Sequence, residues 1–238
     1  MGTLNGNKIY IVHCWAYTLE KWEPFLSELK ALGANPVMLN VPGLTAPIDR
    51  PYNLEDYVSW LSECLKNETE PVTLLAHSNG GRICLSYANK NNNKVRNLIL
   101  IGSAGVYHRG FMISIKRAVF GLLSKIGRPF KKIKFLRYFI YKLAREKDYR
   151  DANDIMQKTM SNMISVDVVP FLPEITCSTL LIWGENDGST PCSDGKIMNA
   201  LIKNSTLEVI KDARHSPQFT HVKEVVDCIK KYYDKENI

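Results

Sequence analysis

Apolar positions along the chain follow two alternating patterns. Lys8–His13 (KIYIVH) is a short β-branched run of the kind that forms a buried strand. Trp22, Phe25, Leu26, Leu29 and Leu32 then recur at helical spacing, and Gly33 stands where a helix closes in a left-handed residue. Pro36–Val41 predicts a second strand. A loop opens at Pro42-Gly43 and runs through Pro47 and Pro51 to a helical stretch over Leu54–Leu65. Pro71–Ala76 reads as a strand, Gly80–Ala88 as a helix and Val95–Ile101 as a strand. The alternation resumes with strands over Thr179–Trp183 and Thr206–Ile210 and helices over Pro191–Ile202 and Val222–Tyr233. Six strands separated by helices and short connections imply a mainly parallel sheet covered on both faces.

Between Ala104 and Pro173 the strand pattern stops and only helical periodicity remains, over Met112–Ile126, Lys134–Arg145 and Asp151–Met163. A helical insertion between two strands of a parallel sheet has the layout of a cap. The expected division is therefore a core of residues 1–104 and 173–238 with a cap of residues 105–172. Charge is concentrated in that insertion. Lys116–Arg150 holds twelve lysines and arginines against Glu146 and Asp148, a net of +10, whereas the whole chain carries +7 and the remainder −3.

Composition adds mainly exclusions. A chain of 238 residues with 45% hydrophobic and 23% charged residues can bury its own core without a disulfide or metal staple. The six cysteines, Cys14, Cys64, Cys84, Cys177, Cys192 and Cys228, are scattered without metal-ligand spacing, so free thiols and no metal site are expected. The polar Met1–Lys8 stretch lacks a signal layout, Gly6 stands where a myristoylation motif needs Ser or Thr, and no apolar run is long enough to span a bilayer. A cytoplasmic protein is expected, with no nucleic-acid reading motif.

The candidate chemistry begins at Ala76-His77-Ser78-Asn79-Gly80-Gly81. Small residues flank a serine between a strand and a helix, as a tight turn requires if it is to lift the hydroxyl over the sheet edge beside a helix N-terminus. A serine needs a base. Of the five histidines, His215 lies in the loop after the last strand, at the edge where parallel sheets build their sites. His77 adjoins Ser78 but diverges from it. His108 and His221 read as surface residues, and His13 as a structural hydrogen-bonder. A carboxylate should orient the base. Asp187 in the turn after the penultimate strand is the choice, with Glu185 as the alternative. Backbone N–H groups of Trp15 and Asn79 are the expected oxyanion donors.

In sum these stretches resemble the α/β-hydrolase superfamily. The resemblance rests on His13-Cys14-Trp15, Ala76–Gly81, Trp183–Asp187 with Thr190-Pro191, and Arg214–Pro217, in that order. It implies a Ser78–Asp187–His215 triad and a helical cap. Two residues depart from the pattern: Cys14 stands where many relatives have glycine, and Ala76 replaces the first glycine of the elbow. A third departure is the start of the chain, too short for the two antiparallel strands common at the front of larger members, so a compact six-stranded core is expected.

The function expected is cofactor-free hydrolysis of a carboxylic ester, or a thioester, of a small acyl substrate through an acyl-enzyme. Serine rather than aspartate at position 78 argues against epoxide hydrolysis and dehalogenation. Carbon–carbon bond hydrolysis and perhydrolysis stay open on the same machinery, and two further readings differ in kind. One is a small-molecule-binding protein with little turnover. The other is a lipase whose basic cap meets an anionic membrane or substrate; solvated lysines above a packed apolar face are the simpler account of that charge.

Overall fold

The computed structural model describes residues 4, 6–14, 19–107 and 153–236. Its six strands are β1 (Lys8–Val12), β2 (Asn35–Met38), β3 (Val72–His77), β4 (Val95–Ile101), β5 (Ser178–Gly184) and β6 (Ser205–Ile210). They form one sheet in the order β2-β1-β3-β4-β5-β6, and every neighbouring pair is parallel. All six strands expected from the sequence are present. β3 sits at the centre and is buried along its whole length, which is why it reads as a continuous apolar run rather than an alternating one.

Among the described residues the α-helices are α1 (Glu23–Ala31), α2 (Leu54–Cys64), α3 (Asn79–Lys90), α4 (Asp154–Ile164), α5 (Cys192–Leu201), α6 (Pro217–Thr220) and α7 (Val222–Glu236). Two apolar clusters cover the two faces of the sheet. One joins α2, α3 and α5, through Leu61, Ile83 and Met198, to Leu74, Leu98 and Leu181. The other joins α1 and α7, through Phe25, Leu29, Val225 and Ile229, to Ile11, Leu75 and Ile182. Gly33 has φ +89, the left-handed closure of α1 expected from its position.

Two details differ from the sequence expectation. The second strand ends at Met38 rather than Val41. Leu39 still donates to Ile11 at 3.1 Å, but the Val41 carbonyl then accepts from Leu44, Thr45 and Ala46 at 3.0–3.2 Å, and that turn takes the backbone away from the sheet. The short α6 had no periodicity to announce it.

The expected helices over Met112–Ile126 and Lys134–Arg145 lie outside the described residues. The expected Asp151–Met163 helix corresponds to α4, capped by the Asn153 side chain, which accepts from the Met156 amide at 2.8 Å. The flanks of the insertion are pinned to each other. The Val168 amide donates to the Gly105 carbonyl at 3.0 Å and the Tyr107 amide to Asp167 Oδ1 at 3.2 Å. Among the described residues no helix is long and apolar enough to cross a membrane.

Candidate active site

The turn from β3 into α3 bends on Ser78, which has φ +54 and ψ −118. A side-chain-bearing residue in that region costs about 1–3 kcal/mol, and it persists only where the surroundings fix it. They do so here by close approach. A Cβ on Gly80 would lie 2.1 Å from the Val12 carbonyl oxygen, and one on Gly81 would lie 2.0 Å from Ser103 Oγ. The Ser78 carbonyl also accepts from the Gly81 and Ala104 amides at 3.0 and 2.9 Å. Ala76, wholly buried, pairs in register with Val12 on one side and Leu100 on the other, so a methyl group is accommodated where the elbow pattern has glycine.

The loop after β6 brings His215 over this turn. His215 Nε2 lies 2.9 Å from Ser78 Oγ, and His215 Nδ1 lies 2.8 Å from Asp187 Oδ2. A carboxylate only accepts, so Nδ1 carries the proton and Nε2 is left to accept the Ser78 hydroxyl. Asp187 is fixed on all sides. Its Oδ1 accepts the Ser189 and Thr190 amides at 2.8 and 3.0 Å, and the Thr190 hydroxyl lies 2.9 Å from Oδ2. Burial alone would raise the Asp187 pKa. The hydrogen bond and charge of His215 and the two amides outweigh it and hold the carboxyl below its ordinary value.

Glu185, the other candidate, is exposed. Its Oε2 accepts the Asp212 amide at 3.1 Å, which steadies the turn leading to His215, where Asp212 itself has φ +59. Asn79 opens α3, so its N–H is one of the four that a helix leaves without an intrahelical partner. Its side chain accepts from Arg82 Nη1 at 2.7 Å. Trp15 lies outside the described residues. His13 is buried and held by Thr45 Oγ1 and the Cys14 carbonyl, both at 3.2 Å, with burial pushing its pKa down.

Three residues near the site were not assigned a role from the sequence. Thr190 reaches Asp187 from three positions along the same turn, a spacing that could have suggested the contact. Gly102, at φ +49, passes so close that a Cβ would lie 3.1 Å from the His215 carbonyl oxygen and 3.3 Å from Asp187 Oδ2. His77 is fully buried beneath His215 and donates to its carbonyl at 2.9 Å. No sequence signal marks the last two. Among the described residues no group of His, Cys, Asp and Glu is arranged to hold a metal ion.

Comparison with known proteins agrees with this architecture. A pimeloyl-(acyl-carrier protein) methyl ester esterase of Neisseria meningitidis is 23% identical over 231 residues, spanning 90% of this chain and 88% of its own length. An esterase of Exiguobacterium antarcticum superposes with a TM-score of 0.73 at 22% identity, over 97% of this chain and 92% of the other. A thermophilic esterase of Thermogutta terrifontis also gives 0.73, at 19% identity, over 98% and 91%. The family model of the alpha/beta hydrolase fold matches residues 7–178, a span that holds β1 to β4 and the Ser78 turn and stops before Asp187 and His215. With most of the chain inside that match and a sheet of the same build, the chain belongs to the alpha/beta hydrolase fold family.

Proposed function

We propose that this protein is a serine hydrolase of carboxylic esters, with Ser78 as nucleophile, His215 as general base and acid, and Asp187 as the carboxylate that orients it. The observation that carries the reading is the continuous hydrogen-bonded line from Ser78 Oγ through His215 to Asp187, mounted on a strained strand-to-helix turn. Ser78 attacks the ester carbonyl while its proton passes to His215 Nε2. The imidazolium so formed lies against the Asp187 carboxylate, and the oxyanion is met by the Asn79 N–H at the start of α3 and by the Trp15 N–H. Collapse expels the alcohol with the proton from His215. Water then deacylates the serine by the same route.

The esterase names of the relatives support ester rather than epoxide or halide chemistry. Residues 105–172 form the cap in this proposal and select the acyl group. The net +10 of Lys116–Arg150 fits an anionic substrate, and the name of the Neisseria relative describes, for that enzyme, an ester borne on an acyl-carrier protein. A panel of p-nitrophenyl esters of increasing acyl length tests activity and acyl preference together. Turnover by wild type and none by Ser78→Ala supports the proposal. Binding of esters without turnover by wild type would instead make the protein a small-molecule-binding member of its family.

A further inference from the structure

His77 and Cys14 take no part in the chemistry above, yet they join its two halves. β3 points Ala76 to one face of the sheet and His77 to the other, so the His77 ring enters the cluster below His215 rather than approaching Ser78 Oγ. There it meets Trp22 and Phe219 edge-on, with ring centroids 6.3 and 6.2 Å away, and the His215 ring at 5.0 Å. Both of its nitrogens have partners. Nε2 lies 2.9 Å from the His215 carbonyl oxygen, which can only accept, so Nε2 carries the proton. Nδ1 is then an acceptor, and Cys14 Sγ lies 3.3 Å from it, placed to donate its thiol hydrogen. Burial, together with the nearby His215, keeps this imidazole neutral.

We propose that His77 and Cys14 are positioning residues: the His77 ring ties the His215 backbone on one side to the chain just beyond β1 on the other. The Trp22 ring, edge-on to Phe219 at 5.2 Å between centroids, packs beside this tie. The inference rests on the esterase reading, in which His215 is the base and the residue after Cys14 supplies an oxyanion donor. The tie acts through the position of His215, and its loss is therefore expected in kcat rather than in KM.

The experiment compares wild type, Cys14→Ala and Cys14→Ser on one p-nitrophenyl ester and reads the histidine tautomers by ¹⁵N NMR. The expected result is a fall in kcat of about tenfold in Cys14→Ala with KM within about twofold, and recovery of most of the loss in Cys14→Ser, which restores a donor. The spectrum of the wild type should show His77 protonated on Nε2. A Cys14→Ala enzyme with wild-type kcat overturns the inference, as does a His77 proton on Nδ1. Should Cys14→Ala fail to fold, Cys14→Ser and the tautomer decide. A wild type inert to both ester and a fluorophosphonate refutes the esterase reading itself, whereas an active wild type with an unaffected Cys14→Ala refutes only the tie.

Discussion

Acid should destabilise this protein well above the carboxylate range, and His77 should be a main cause. The ordinary imidazole pKa is 6.5, and in the folded chain burial, followed by the charge of His215, lowers that of His77 to about 3. The titratable groups facing it are His215 and Asp187 from the site loops and His13 and Cys14 from the end of β1. The sign follows from proton counts. Between those two values the unfolded chain binds a proton that the folded chain refuses, so stability falls as pH falls through the interval. Each pH step in it costs about 1.4 kcal/mol, giving about 2 kcal/mol by pH 5 and a ceiling of about 5 kcal/mol near pH 3. His13, whose pKa burial also lowers, adds in the same direction. Asp187 acts only further down: its lowered pKa supplies stability that disappears as the carboxyl protonates below its ordinary 3.8. Urea unfolding of wild type and His77→Gln from pH 7.5 to 4.5 separates these contributions. The slope of stability against pH should be shallower in His77→Gln by about 1 kcal/mol per pH unit below 6. Equal slopes in the two proteins would refute the reasoning, whatever their absolute stabilities.

Other consequences follow from single contacts. Asp187→Asn should cut kcat by about three to four orders of magnitude, while Glu185→Gln, which touches only the Asp212 turn, should stay within a few-fold of wild type; steady-state kinetics on one ester checks both. Gly80→Ala places a methyl group against the Val12 carbonyl and should lower stability by about 3 kcal/mol, read as a drop in Tm, along with activity as the Ser78 turn shifts. Replacing Lys131, Lys132 and Lys134 together by Gln should lower kcat/KM for an acidic ester at about 0.01 M salt and leave a neutral ester unchanged; equal effects on the two esters would remove any electrostatic role for these lysines.

The sheet was legible because its four inner strands are buried along nearly their whole length and read as continuous apolar runs, whereas the helices carry one apolar stripe each, so the two periods separate. Where pairing rather than pattern ends an element the sequence was silent: Leu39 to Val41 are as apolar as the strand before them, and the turn at Val41 removes them from it. The residues at the site divide in the same way. Ser78 is marked locally by the small residues around it, of which Gly80 and Gly81 answer close approaches in three dimensions. The choice between Asp187 and Glu185 was not local. They are two residues apart, and the direction in which the turn after β5 points them decides which one meets His215. The contact of Cys14 with His77 joins residues 63 positions apart, and that of His77 with His215 joins residues 138 apart. Such contacts exist only once the sheet has brought β1, β3 and the loop after β6 side by side.

The central claim is that Ser78 is an activated nucleophile, and covalent capture tests it most directly. Native protein is treated with a fluorophosphonate, and the adduct is located by mass spectrometry of the intact chain and of its peptides. The account predicts one adduct per chain, on Ser78, absent from Ser78→Ala and strongly slowed in His215→Ala. A wild type left unmodified, or one labelled at the same rate when Ser78 is alanine, would contradict it.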